Sequence, residues 1–80
     1  MKQEDYKSKV IALLAKELSV PKDNIMEDSG MGDFSNWDSV GHFKIILALE
    51  KQFNIEFSLE DIMSIENVGD IVKVMSKYID

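Results

Sequence analysis

The sequence predicts an all-α protein, a small four-helix bundle of three longer helices and one short one, with a long loop between the first two. Three observations predict it. Apolar residues recur at helical spacing in two well-separated stretches, 6–18 and 68–79. A third stretch, from Ser39 to Phe53, is apolar around most of its circumference. The only proline, Pro21, and two of the four glycines, Gly30 and Gly32, fall in the segment from Ser19 to Trp37, which keeps no helical period. A chain of 80 residues holds one small domain, read here as residues 1–80.

The first helix places Tyr6, Val10, Ile11, Leu13, Leu14 and Leu18 on one side and lysines and acids on the other. Ser19-Val20-Pro21 stops it, because the residue before a proline disfavours helix. The second helix runs from near Ser39 to about Phe53. Its apolar residues Val40, Phe43, Ile45, Ile46, Leu47, Ala48, Leu49 and Phe53 leave only a strip of Gly41, Lys44, Lys51 and Gln52, a pattern expected of a central helix. Asn54 to Phe57 reads as an extended connector with Ile55 and Phe57 on one side. Ser58 caps a short third helix, with Asp61 three residues on and Leu59, Ile62 and Met63 as its expected buried side. Asn67 and Asp70 repeat the capping pattern for a fourth helix, striped by Val68, Ile71, Val72, Met75 and Ile79.

Charge and composition exclude several functions. There are 15 acids against nine lysines and no arginine, a net charge of -6. Nucleic-acid binders present basic surfaces and favour arginine for phosphate, so that class is not expected. No cysteine is present, so the chain has no thiol of its own and no disulfide. Met1-Lys2-Gln3-Glu4-Asp5 lacks the apolar core of a secretory signal, and no stretch approaches a membrane span of about 20 apolar residues. A cytoplasmic, monomeric protein without membrane insertion is the expectation. The acids Asp23, Glu27, Asp28 and Asp33 lack the spacing of an EF-hand loop, and no metal site is expected.

The segment that carries chemistry is Phe34-Ser35-Asn36-Trp37-Asp38-Ser39-Val40-Gly41-His42. A serine where a loop turns into a helix is read first as a cap. The alternative is a modification site, because free backbone N–H groups and the helix dipole suit a phosphate there. Self-contained hydrolysis is not expected. The only histidine, His42, is three residues on, and nothing resembles a nucleophile elbow or an oxyanion hole. His42 is read as a half-exposed helix residue, with contact to a phosphate on Ser39 as the alternative, and Trp37 as packing beneath the loop in preference to lying beside a group attached at Ser39.

The run Asp38-Ser39-Val40 resembles the Asp-Ser-Leu signature of acyl carrier proteins. Residues 46–57, Ile-Leu-Ala-Leu-Glu-Lys-Gln-Phe-Asn-Ile-Glu-Phe, are similar to that family's second helix and its exit. Asn67-Val68-Gly69-Asp70-Ile71-Val72 is similar to the start of its fourth helix, and Phe34 stands where the family packs an aromatic or leucine ahead of the serine. The three segments lie in register with the helices read above.

The resemblance implies a non-enzymatic carrier. A phosphopantetheinyl transferase would move a 4'-phosphopantetheine arm from coenzyme A onto Ser39, and the arm's thiol would hold acyl cargo as a thioester. It also implies that Asp38 helps the transferase recognise the site and that Val40 and Leu47 are docking contacts, beside Lys44 and Lys51 on the exposed strip. Phe43, Ile46, Ile62 and Ile71 would line an interior that shelters an acyl chain, or serve only as core. The implied partners are the transferase, an acyl-loading ligase or synthase, and acyltransferases.

Carriers of the main fatty-acid pathway usually have acids two and five residues after the serine. Here those places hold Gly41 and Lys44, and two lysines outweigh one acid between Ser39 and Phe53. Because charge complementarity sets partner choice, a dedicated partner set in a specialised lipid, glycolipid or secondary-metabolite pathway is expected. The alternatives are an aminoacyl or peptidyl carrier, against which the Trp37-Asp38-Ser39 context speaks, and an unmodified helical interaction module.

Overall fold

The computed structural model describes residues 3–79, with side chains from Asp5 onward. Helix α1 spans Gln3–Leu18, α2 Ser39–Phe53, α3 Leu59–Ser64 and α4 Val68–Ile79. A 3-10 turn at Lys22–Asn24 interrupts the first loop. Among the described residues there is no strand, only an isolated antiparallel bridge between Gly30 and Asn67. The expected architecture of three longer helices, one short helix and a long first loop is what forms.

Helix α1 buries Tyr6, Val10, Leu13, Leu14 and Leu18 of the stripe its spacing predicts, with Ile11 half-buried at its edge. It ends on Ser19 in the left-handed region (φ 58°), and the Val20 N–H then donates to the Ala15 carbonyl at 3.1 Å. Helix α2 ends in the same way, with Asn54 at φ 55° and the Ile55 N–H on the Glu50 carbonyl at 3.1 Å. In both cases the next residue is apolar and packs onto the core, which satisfies the last carbonyls and turns the chain inward.

Helix α2 is not the central element its composition suggested. Its inward side is His42, Ile45, Ile46 and Leu49, at i, i+3, i+4 and i+7. Val40, Phe43 and Leu47 are 64 %, 56 % and 50 % exposed. The physical reason is that α1, not α2, packs against two long helices, α2 and α4. Helix α2 therefore carries a second apolar stripe that the fold leaves in water.

Helix α3 is also turned from its expected orientation. Leu59 and Met63 are 71 % and 74 % exposed, Ile62 is half-buried, and the acid Asp61 is buried. The reason lies on α4. Lys77 Nζ reaches Asp61 Oδ1 at 2.5 Å, and the Tyr78 hydroxyl donates to Asp61 Oδ2. Tyr78 also accepts the Ser58 N–H at 3.2 Å and packs edge-on against Phe57. A paired carboxylate thus takes the inward place that an apolar residue was expected to fill. The expected cap does form, with Ser58 Oγ accepting the Asp61 N–H at 3.1 Å.

The first loop is pinned at its middle. The Ser29 and Glu27 carbonyls accept the Val68 and Gly69 N–H groups at 2.9 and 2.8 Å, so loop backbone satisfies the first turn of α4. Asn67 Oδ1 accepts the Asp70 N–H and Asp70 Oδ2 accepts the Glu66 N–H, completing that end. A Cβ at Gly30 would lie 2.3 Å from the Glu66 carbonyl oxygen, which accounts for glycine at the crossing.

Candidate modification site

The loop returns to the bundle through Trp37, which is fully buried as expected of packing beneath the loop. Several bonds hold the residues before Ser39. Asn36 Nδ2 donates to the Leu18 carbonyl at 3.2 Å, tying the turn to the end of α1. The Trp37 N–H donates to the Phe34 carbonyl, and the Trp37 carbonyl accepts the Gly32 N–H. The Trp37 indole N–H donates to His42 Nδ1 at 2.9 Å, across Ser39.

The cap of α2 is Asp38, not Ser39. Asp38 Oδ1 accepts the Gly41 N–H at 2.8 Å, and its carbonyl accepts the His42 N–H at 2.7 Å. Ser39 is the first helical residue and is exposed, and its hydroxyl makes no hydrogen bond among the described residues. The two readings of a loop-to-helix serine are thereby separated: the capping role falls to the neighbour, and the hydroxyl stays available.

Gly41 is half-buried because the turn lies directly on it. A Cβ there would sit 1.8 Å from the Asn36 carbonyl oxygen. The missing acid at this place is thus a packing requirement of this loop and not only a matter of surface charge. His42 is likewise buried, not half-exposed. A lone histidine gives no warning of this, since its partner is an indole on the loop. Burial pushes the imidazole pKa below its usual 6.5.

Two depressions flank the first turns of the serine's helix. One, of about 310 Å³, is lined by Glu17, Asn36, Asp38, Val40, Gly41 and Lys44. The other, of about 490 Å³, lies where the loop, α2 and α3 meet, and is lined by Met31, His42, Ile62, Met63, Ile65 and Glu66. Of the four residues considered for an acyl-sheltering interior, Ile62 lines the second depression, while Ile46 and Ile71 are buried in the core. Phe43 is a correction: it lies outside the core, one position past the inward stripe of α2. Lys44 and Lys51 are exposed beside Val40 and Leu47, and neither pairs with an acid among the described residues.

Residues 8–75 match the family described as a phosphopantetheine attachment site. An acyl carrier protein of Prochlorococcus marinus is 34 % identical over 73 residues, covering 91 % of each chain. The chain belongs to the acyl carrier protein family. The acyl carrier protein of Thermosynechococcus vestitus is 27 % identical over 79 residues, 99 % of this chain and 98 % of its own. A solved structure from Mycobacterium tuberculosis, described as an acyl carrier protein, superposes with a TM-score of 0.79 at 25 % identity. It covers 90 % of this chain and 96 % of that one.

As a member of the acyl carrier protein family, the chain works with a covalently attached 4'-phosphopantetheine. The turn at Ser39 fits such a group: it offers an exposed and unengaged hydroxyl on the first residue of a long helix, with the cap made elsewhere. Among the described residues no helix is long and apolar enough to cross a membrane.

Proposed function

We propose that Ser39 is the attachment residue and that residues 1–80 act as one carrier domain, which brings no catalytic group of its own and presents acyl cargo to partner enzymes in the cytoplasm. The observation that carries the reading is the division of labour at the turn, with Asp38 capping α2 and Ser39 left exposed. One continuous apolar core joins all four helices, which supports a single domain. When bound, the arm supplies the thiol that this cysteine-free chain lacks.

The chain's own residues then have distinct tasks. The Ser39 oxygen would replace the adenosine bisphosphate of coenzyme A on the transferred phosphorus, its proton passing to the enzyme or water, and the positive end of α2 favours the phosphate beside it. Asp38 holds the turn in shape and stands exposed for the phosphopantetheinyl transferase to read. Val40 and Leu47 give that enzyme and the acyl-loading ligase, synthase or acyltransferases an apolar contact, and exposed Phe43 joins them. Ile62 receives the start of an acyl chain that folds inward at the larger depression, while Ile46 and Ile71 are core residues that such a chain would have to part.

The outward face of α2 supports a specialised pathway. Lys44 and Lys51 flank Val40 and Leu47, whereas Glu50 is turned aside and accepts the Phe57 N–H at 2.8 Å. The docking strip is thus positive in a chain of net charge -6 and suits partners whose apolar clefts are rimmed by acids.

Incubation with coenzyme A and a broad-specificity phosphopantetheinyl transferase tests the site. The intact mass is expected to rise by one phosphopantetheine, and Ser39→Ala is expected to gain none. A gain by the folded Ser39→Ala variant would move the attachment elsewhere.

A further inference from the structure

The bond between Trp37 and His42 joins the residue two before Ser39 to the residue three after it. Both side chains are buried, so this bond does not compete with water as the exposed Asp38 cap does. The two rings lie nearly parallel, 17° apart, with centroids 6.2 Å apart. The indole nitrogen can only donate, so Nδ1 of His42 must offer its lone pair, and the ring proton sits on Nε2. An apolar pair could fill the same space, but it would not fix the register of loop against helix.

The structure assigns to His42 a positioning role: as the buried acceptor for the Trp37 indole, it ties the loop ahead of Ser39 to the first turn of α2 and holds the hydroxyl in the geometry the transferase modifies. The inference rests on Ser39 being the attachment residue. The role runs through the Trp37 indole and the shape of the turn, and gives His42 no part in the transfer itself.

Protonation of the imidazole would replace the acceptor at Nδ1 by a second donor, and the bond could not form. The charged neighbours are few. Glu66, from the α3–α4 connection, lines the same depression, where α3 contributes Ile62 and Met63. From the loop, Asp38 lies at the turn with its carboxylate on the Gly41 N–H, and Trp37 itself is uncharged. On α2 the inward neighbours Ile45, Ile46 and Leu49 carry no charge. The latch is therefore intact in neutral solution and opens in acid.

The test is a competition for one transferase between the wild type and His42→Asn, whose amide oxygen can take the place of Nδ1 and does not titrate. The two are told apart by intact mass, and competition cancels the transferase's own pH dependence. The ratio of wild-type to variant rates is expected to be near one at about pH 7.5 and to fall progressively as the pH drops below the usual histidine range, approaching about five-fold once the imidazole is charged, a factor that an ordinary hydrogen bond supplies. His42→Ala, shown to be folded by circular dichroism, is expected to be modified more slowly at both pH values. A ratio independent of pH, together with full-rate modification of folded His42→Ala, would overturn the positioning role. Should His42→Ala not fold, the competition alone decides. Modification of Ser39→Ala in the same assay would instead show the attachment residue to be elsewhere, a separate failure.

Discussion

Asp38 and Ser39 divide two tasks that one residue often combines. Asp38 closes the end of α2, and Ser39 remains on the surface with a free hydroxyl. Gly41 belongs to the same local design, because the Asn36 carbonyl occupies the space a Cβ would need. Placing acids at the two positions where main-pathway carriers have them therefore has unequal effects. Gly41→Asp forces the turn off the helix and is expected to lower stability by about 1–3 kcal/mol in urea unfolding. Lys44→Asp, on the exposed strip, is expected to stay within about 0.5 kcal/mol of the wild type. His42 adds a pH dependence. Its pKa is lowered in the folded state, so the unfolded chain binds the proton more readily. The stability that His42 contributes is full above the usual 6.5 and declines as the pH falls below it. A urea midpoint that drops between about pH 7 and 5 in the wild type, and drops less in His42→Asn, is the expected result. The serine and its aspartate were legible in the sequence. Gly41 and His42 were not, because their meaning depends on where Asn36 and Trp37 fold back.

The long helices were legible because burial follows their spacing. In α4 Val68, Ile71, Val72 and Met75 of the expected stripe are buried and its last member, Ile79, is half-buried, and Ile71→Ala is expected to lose about 2–5 kcal/mol in the same unfolding assay. The orientation of helix α3 is not legible, for a physical reason. Six residues are too few for periodicity to settle orientation, and the group that settles it is Asp61, through partners 16 and 17 positions away. Lys77 first, then Tyr78, hold the Asp61 carboxyl well below its usual value, at about 2. Because the folded pKa lies below the unfolded one, this contribution is full above about 4 and is lost as the pH falls toward 2. Asp61→Asn is accordingly expected to lower the thermal midpoint at neutral pH, and its deficit against the wild type is expected to shrink in acid. A deficit that stays constant with pH would mean that the carboxylate's charge does not hold α3 to α4. On α2, the exposure of Phe43 is not legible, because nothing in a sequence separates an apolar residue that packs inward from one left for a partner.

At the scale of the whole molecule, an acidic chain exposes a positive, apolar strip on the helix that follows its modified turn. Enzymes of general fatty-acid synthesis are expected to load and elongate the wild type poorly. The double variant Lys44→Glu, Lys51→Glu is expected to improve as their substrate, with a gain that shrinks in high salt because screening weakens charge steering. Equal performance of wild type and double variant with those enzymes would remove the case for a specialised partner set. The central claim, acyl cargo held as a thioester on an arm at Ser39, is tested most directly by acyl loading. The phosphopantetheine-bearing protein is incubated with a fatty-acyl ligase, a fatty acid and ATP, and the intact mass is recorded before and after neutral hydroxylamine. The account predicts an added acyl mass that hydroxylamine removes and that never appears on Ser39→Ala. An acyl mass that resists hydroxylamine, or that forms equally on folded Ser39→Ala, would contradict it.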